Sequence, residues 1–142
     1  MSGNKETLVF GTFDILHPGH VHFLRWASAF GRLTVALTPD SLCQYYKNYR
    51  PLNVYDKRRQ RLLTVNYVSN VVSADLKPGS FKIINRLRPE IIVLGYDQRL
   101  LKRALIDKFR SLTQCPKLII SRPYRADYYK SSLFCQPEIR SI

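Results

Sequence analysis

The sequence predicts an α/β domain, a doubly wound parallel sheet of five strands with helices on both faces. Three observations carry this prediction. Short apolar, β-branched runs alternate with longer segments of helical period, the pattern of repeated strand, crossover and strand. One run, Ile91-Ile92-Val93-Leu94, is apolar at every position, as a strand covered on both faces must be. Proline and glycine fall between the runs, at Pro39, Pro51, Pro78-Gly79 and Pro89, where they mark connections.

In chain order the strands are expected at residues 7–10, 33–37, 70–73, 91–94 and 117–121, with the fourth a central strand. The first helix should open at Pro18, because proline's fixed φ and missing N–H suit the first helical position. It should end at Gly31, read as a left-handed cap. Its inner row, His20, Phe23, Leu24 and Ala27, follows helical spacing. Further helices are expected over 55–67, 80–87 and 98–112, with a shorter one over 41–46. No repeat, low-complexity tract or linker divides the chain, so residues 1–142 are read as a single domain.

An apolar share of 45% in 142 residues fills one sizeable core. The formal charge of +13 makes a surface that attracts anions, whether nucleotides, nucleic acid or anionic lipid. The opening Met-Ser-Gly-Asn-Lys-Glu-Thr has no apolar signal core, and no apolar run reaches the roughly 18 to 20 residues that span a bilayer. A soluble, cytoplasmic protein is therefore expected, with no membrane partner. Cys43, Cys115 and Cys135 form no C-x-x-C pair, so neither a disulfide framework nor a zinc site is indicated.

The stretch Gly11-Thr12-Phe13-Asp14-Ile15-Leu16-His17-Pro18-Gly19-His20 sits where the first strand hands over to the first helix. In a doubly wound sheet, ligands bind outside the carboxyl ends of the strands where strand order reverses. Gly11 permits close backbone approach, Thr12 offers a hydroxyl, and the helix start presents unpaired N–H groups carrying partial positive charge. His17 near the N-cap and His20 in the first turn share a helical face, so both imidazoles can point at an anion held there. Blander readings stand beside this one. A lone His20 on an apolar row is usually a hydrogen-bonded core residue, and two histidines with Asp14 make a weak zinc signal. Asp14 could serve only as a turn residue bonding the backbone, and His22 reads as surface.

The whole string resembles the signature of the nucleotidyltransferase superfamily with the His-x-Gly-His motif, in its cytidylyltransferase-like branch. The chain is similar along nearly its whole length to glycerol-3-phosphate cytidylyltransferases and archaeal FAD synthetases. The resemblance implies a Rossmann-like sheet of order 3-2-1-4-5. It also implies transfer of a nucleoside monophosphate from a nucleoside triphosphate to a phosphate monoester, with release of pyrophosphate and no covalent enzyme intermediate. Mg²⁺ is expected to bridge triphosphate oxygens, with no firm protein ligand. Homodimers are common among relatives.

Residue by residue, the resemblance makes His17, His20, Lys47 and Arg58 the catalytic set. It gives the nucleotide Gly11, Thr12, Phe13, Gly19 and the same two histidines, together with Asp97 in Gly95-Tyr96-Asp97-Gln98. Arg125 and the hydroxyl pair Ser131-Ser132 complete that list near the C-terminus. The acceptor is assigned Asp14, Lys47 and Arg50, the last two in an aromatic loop, Tyr45-Tyr46-Lys47-Asn48-Tyr49-Arg50-Pro51. Each has a plainer reading: Asp97 and the serines as helix caps, and Lys57, Arg59 and Arg61 as a solvated face. "PEIIVLGYDQ" favours ATP and FMN as substrates, with CTP and glycerol 3-phosphate next. Two other classes compete: a basic nucleic-acid binder, suggested by tyrosines among the basic residues, and a nucleotide-binding relative without turnover.

Overall fold

The computed structural model describes residues 5–47 and 50–122. Five strands, β1 (Glu6–Gly11), β2 (Arg32–Leu37), β3 (Asn70–Ser73), β4 (Ile91–Leu94) and β5 (Lys117–Ile120), form one sheet of order β3-β2-β1-β4-β5. Every neighbouring pair is parallel. The helices are α1 (Pro18–Ser28), α2 (Asp40–Lys47), α3 (Tyr55–Leu63), α4 (Lys82–Leu87) and α5 (Arg99–Phe109).

Strand alternation builds two cores, one on each face. Val9 and Val93, paired across β1 and β4, lie in one with Leu24 and Ala27 of α1 and Leu62 of α3. Leu8 and Ile92, also paired, lie in the other with Ile83 and Ile84 of α4 and Leu105 of α5. All four β4 residues are buried, the consequence of their unbroken apolar run. The chain winds from β1 outward to β2 and β3, then returns to place β4 on the other flank of β1. The strand order therefore reverses between β1 and β4, and their carboxyl ends frame the crevice where such sheets bind ligands.

Helix ends depart from expectation for identifiable reasons. α1 stops at Ser28, with Ala29 right-handed at the C-cap, and Gly31 does not have a positive φ. Glycine is needed at 31 for space, because a Cβ there would lie 2.6 Å from the Lys5 carbonyl oxygen and 2.9 Å from Thr7 Oγ1. α3 ends at Leu63 rather than 67, where the Thr64 hydroxyl donates to the Arg61 carbonyl at 2.6 Å and β-branched residues take over. The last turn of α5 tightens, with Arg110 N–H donating to Asp107 O and Leu112 N–H to Phe109 O. α4 begins only at Lys82, because Phe81 before it is left-handed at φ 48°.

Candidate active site

The crevice floor starts at Gly11, whose carbonyl accepts from both the N–H and the hydroxyl of Thr38 at 3.0 Å each. A Cβ on Gly11 would lie 2.4 Å from Phe13 Cε2, so glycine here lets the Phe13 ring fold back against the strand end. Phe13 is buried and adopts φ 47°, a left-handed conformation that costs a non-glycine residue on the order of 1 kcal/mol. Gly19 lies half-buried in the first turn of α1.

Pro18 opens α1, as its ring geometry favours, and His17 takes the extended N-cap position. The His20 N–H donates to His17 Nδ1 at 3.3 Å. A nitrogen that accepts a proton donor carries none itself, so the neutral His17 ring keeps its proton on Nε2. The two imidazoles stack with centroids 3.8 Å apart and planes 17° from parallel. The Phe13 ring meets His20 edge-on at 5.2 Å. The structure thus brings Phe13, His17 and His20 into one group over the helix start, with no acidic residue in that first turn. His20 is half-buried whereas Leu24 and Ala27 below it are fully buried, and His22 is exposed, as read from the sequence.

Asp14 bonds backbone N–H groups, but those of a distant segment. It is not bonded to its own turn; its carboxylate accepts the Leu52 N–H at 2.7 Å and the Asn53 N–H at 2.9 Å. Its carbonyl accepts Asn53 Nδ2 at 2.9 Å. Asp14 therefore fastens the segment after Pro51 to the loop after β1. Burial alone would raise its pKa, but the bonds from Leu52 and Asn53 and the nearby Arg58 charge outweigh that and hold it below the usual value.

Arg58 is likewise engaged by distant segments. The sequence reading placed it in the catalytic set, yet it is completely buried and its guanidinium is engaged by protein acceptors. Nε donates to the Asn53 carbonyl at 2.9 Å, Nη1 to the Thr12 carbonyl at 2.9 Å, and Nη2 to Asp40 Oδ1 at 2.6 Å. The planar fork lets one side chain hold three segments at once. Helical period explains its burial: Arg58 precedes Leu62 by one turn, and both face inward, while Lys57 and Arg61 are exposed.

Three contributors escaped the sequence reading. Asp40 both receives Arg58 and accepts the Tyr55 N–H at 3.3 Å, doing for α3 what its N-cap Val54 cannot. Asn53 is the partner of Asp14. Gln98 accepts the Gly95 N–H through Oε1 at 2.7 Å and donates through Nε2 to the Phe10 carbonyl at 2.9 Å, which ties the loop after β4 to the end of β1. Pro39 and Pro51 marked connections near Asp40 and Asn53, but nothing local named the partners of these residues.

Asp97 is exposed in that tied loop, and the helix N-cap position falls to Gln98. Lys47 closes α2 instead of lying in a loop, and Arg50 is exposed just ahead of the Asp14 contacts. Arg125, Ser131 and Ser132 lie outside the described residues. Among the described residues no cluster of three His, Cys, Asp or Glu side chains could hold a metal ion, and no helix is long and apolar enough to cross a membrane.

Comparisons with known proteins agree with this geometry. The family described as cytidylyltransferase-like matches residues 8–135. An FAD synthase of Pyrococcus abyssi is 35% identical over 136 residues, covering 93% of this chain and 92% of the relative. An FAD synthase of Thermococcus kodakarensis is 31% identical, covering 92% of this chain and 89% of the relative. The crystal structure of a lipopolysaccharide core biosynthesis protein from Thermoplasma volcanium superimposes with a TM-score of 0.77 at 26% identity, covering 84% of this chain and 98% of that one. The sheet order, the crevice at β1 and β4 and the extent of these matches lead to one assignment: the chain belongs to the cytidylyltransferase-like family.

Proposed function

We propose that this nucleotidyltransferase is an FAD synthase, which transfers AMP from ATP to the phosphate of FMN. The observation that carries the reading is the stacked His17–His20 pair at the start of α1, directly beyond the Gly11–Asp14 loop. The similarity to archaeal FAD synthases supports the choice of substrates.

In the proposed reaction an FMN phosphate oxygen attacks the α-phosphorus of ATP in line. The new P–O bond forms as the bond to the β-phosphate oxygen breaks, and pyrophosphate leaves. Proton transfer to or from a protein nucleophile is not required, so catalysis is positioning and charge stabilisation. His17 Nε2–H is a donor aimed by its N-cap bond, and His20 is held by Phe13 and by the stack. The N–H groups of the first turn add partial positive charge. Thr12, Gly19 and Asp97 line the nucleotide side, with Arg125, Ser131 and Ser132 assigned to the triphosphate by family resemblance. Lys47 and Arg50 serve the acceptor phosphate by the same resemblance. Arg58 and Asp14 shape the site as positioning residues. Mg²⁺, expected to be bound mainly through the triphosphate, would supply charge neutralisation there.

The test pairs each of the four common nucleoside triphosphates with FMN, glycerol 3-phosphate and other phosphate monoesters and measures pyrophosphate. ATP with FMN should give the highest kcat/KM. CTP with glycerol 3-phosphate as the best pair would move the assignment within the family, and no pyrophosphate from any pair would remove it.

A further inference from the structure

Asn53 carries no charge and belongs to no motif, yet it lies at the junction of the two loops that build the site. Its N–H donates to Asp14 Oδ1 at 2.9 Å, and its Nδ2 donates to the Asp14 carbonyl at 2.9 Å and to Oδ1 at 3.2 Å. Its own carbonyl accepts from Arg58 Nε at 2.9 Å. Arg58 in turn holds the Thr12 carbonyl at 2.9 Å. The peptide carbonyls of Thr12 and Asp14, which flank Phe13, are therefore both gripped by residues of one segment.

Phe13 is the residue between them, at φ 47°. A side chain in this conformation persists only where its surroundings over-determine it. Its ring meets His20 edge-on, and His20 stacks on His17. Three residues before Asn53, on the same short stretch, is Arg50, exposed and proposed to serve the acceptor. A continuous set of contacts thus runs from the acceptor segment through Asn53 and Asp14 to Phe13 and the histidines.

We propose that Asn53 is a positioning residue for nucleotidyl transfer, setting the Phe13 turn, and through it the histidine pair, in register with the segment that bears Arg50. The proposal rests on the reading of His17 and His20 as donors to the transferred phosphate. Only the side-chain amide supplies both a donor long enough to reach the Asp14 carbonyl and no charge to oppose the Asp14 carboxylate. Alanine deletes the donor, serine shortens it, and aspartate sets two carboxylates face to face.

The test uses full-length Asn53→Ala and Asn53→Ser proteins, with two readouts. Steady-state kinetics should show kcat reduced about 10- to 100-fold, as expected for a small misplacement of catalytic groups. KM for the acceptor should rise more than KM for the nucleotide. Independently of turnover, the ring resonances of His17 and His20 should move in two-dimensional NMR spectra while those of exposed His22, on the same helix, stay in place. Parent-like kinetics with unmoved His17 and His20 signals would overturn the proposal, even if stability fell. Should Asn53→Ala not fold, Asn53→Ser carries the same readouts. If the parent protein transfers nucleotide to no acceptor, the functional reading fails, whereas the histidine resonances still decide whether Asn53 sets their geometry.

Discussion

The loop after β1 and the segment from Arg50 to Arg58 face each other, and they encode their structure in opposite ways. In the first, neighbours in sequence are neighbours in space: Gly11 makes room for Phe13, Pro18 starts the helix, and His17 caps it through the His20 N–H. In the second, the important partners are distant in sequence. Asn53 and Leu52 meet Asp14, Arg58 meets Thr12 and Asp40, and the helix that follows is capped from another element. The histidines of the first loop can be read by their spacing, but a charged residue of the second only by its fold. Within the basic run only the family resemblance set Arg58 apart, and it is the most deeply buried of them.

The sharpest way to break this comparison is Arg58→Ala. It leaves the Asp40 carboxylate and the Thr12 and Asn53 carbonyls without their donor, a loss expected to cost about 3 kcal/mol. The fall should appear in urea midpoints, with activity lost in the folded fraction as well. Arg58→Lys should recover little, because an ammonium cannot span three acceptors as the fork does. If Arg58→Ala kept parental stability, the buried fork would not be what joins the two regions.

His20→Ala should behave in the opposite sense, with turnover reduced by about 10²- to 10³-fold. Stability should fall by no more than about 1 kcal/mol, since its ring is only half-buried. Thermal unfolding and kcat on the same preparation separate the two effects. Activity that followed stability rather than the imidazole would make His20 a packing residue.

Acid provides a gentler probe. Asp14 in the site and Asp75 away from it both have lowered pKa values. Burial of Asp75 works against its charge, but bonds from the Ser80 hydroxyl and the Lys82 and Ile83 N–H groups, with the Arg86 charge, prevail. A carboxylate with a depressed folded value stabilises fully above its ordinary value near 4 and loses that contribution as pH falls through the folded value. Stability of the parent should therefore decline below about pH 4. Asp75→Asn should flatten that decline and leave kcat at pH 7 unchanged, whereas Asp14→Asn should flatten it and also lower kcat. Urea midpoints at pH 7, 4 and 3, with kcat at pH 7, resolve the difference.

The sheet was legible because its signal is composition over several residues: Ile91–Leu94 reads as a strand buried on both faces, which it is, although β1 and not β4 takes the middle of the sheet. Parallel pairing and the crevice followed from alternating strands and helices, and the order 3-2-1-4-5 from the family resemblance. Helix ends were less legible, since they depend on single contacts; Gly31 has the position of a left-handed cap, but the Lys5 carbonyl is what requires it. In the site, the histidine stretch could be read because its chemistry is local. The partners of Asp14 were not legible because a carboxylate in a turn looks the same whatever it binds, and the backbone N–H groups of residues 52 and 53 reach it only through the fold. Gln98 passed unnoticed beside Asp97, since only the pairing of β1 with β4 brings its amide to the Phe10 carbonyl.

The central claim is that the histidine pair serves transfer of AMP to FMN. The most direct measurement incubates the purified protein with ATP, FMN and Mg²⁺ and follows FAD by mass and pyrophosphate by a coupled assay. The account predicts that the two products appear in equal amounts, and that His20→Ala loses both while remaining folded. Absence of FAD with the parent protein, or FAD formed equally fast by folded His20→Ala, would contradict it.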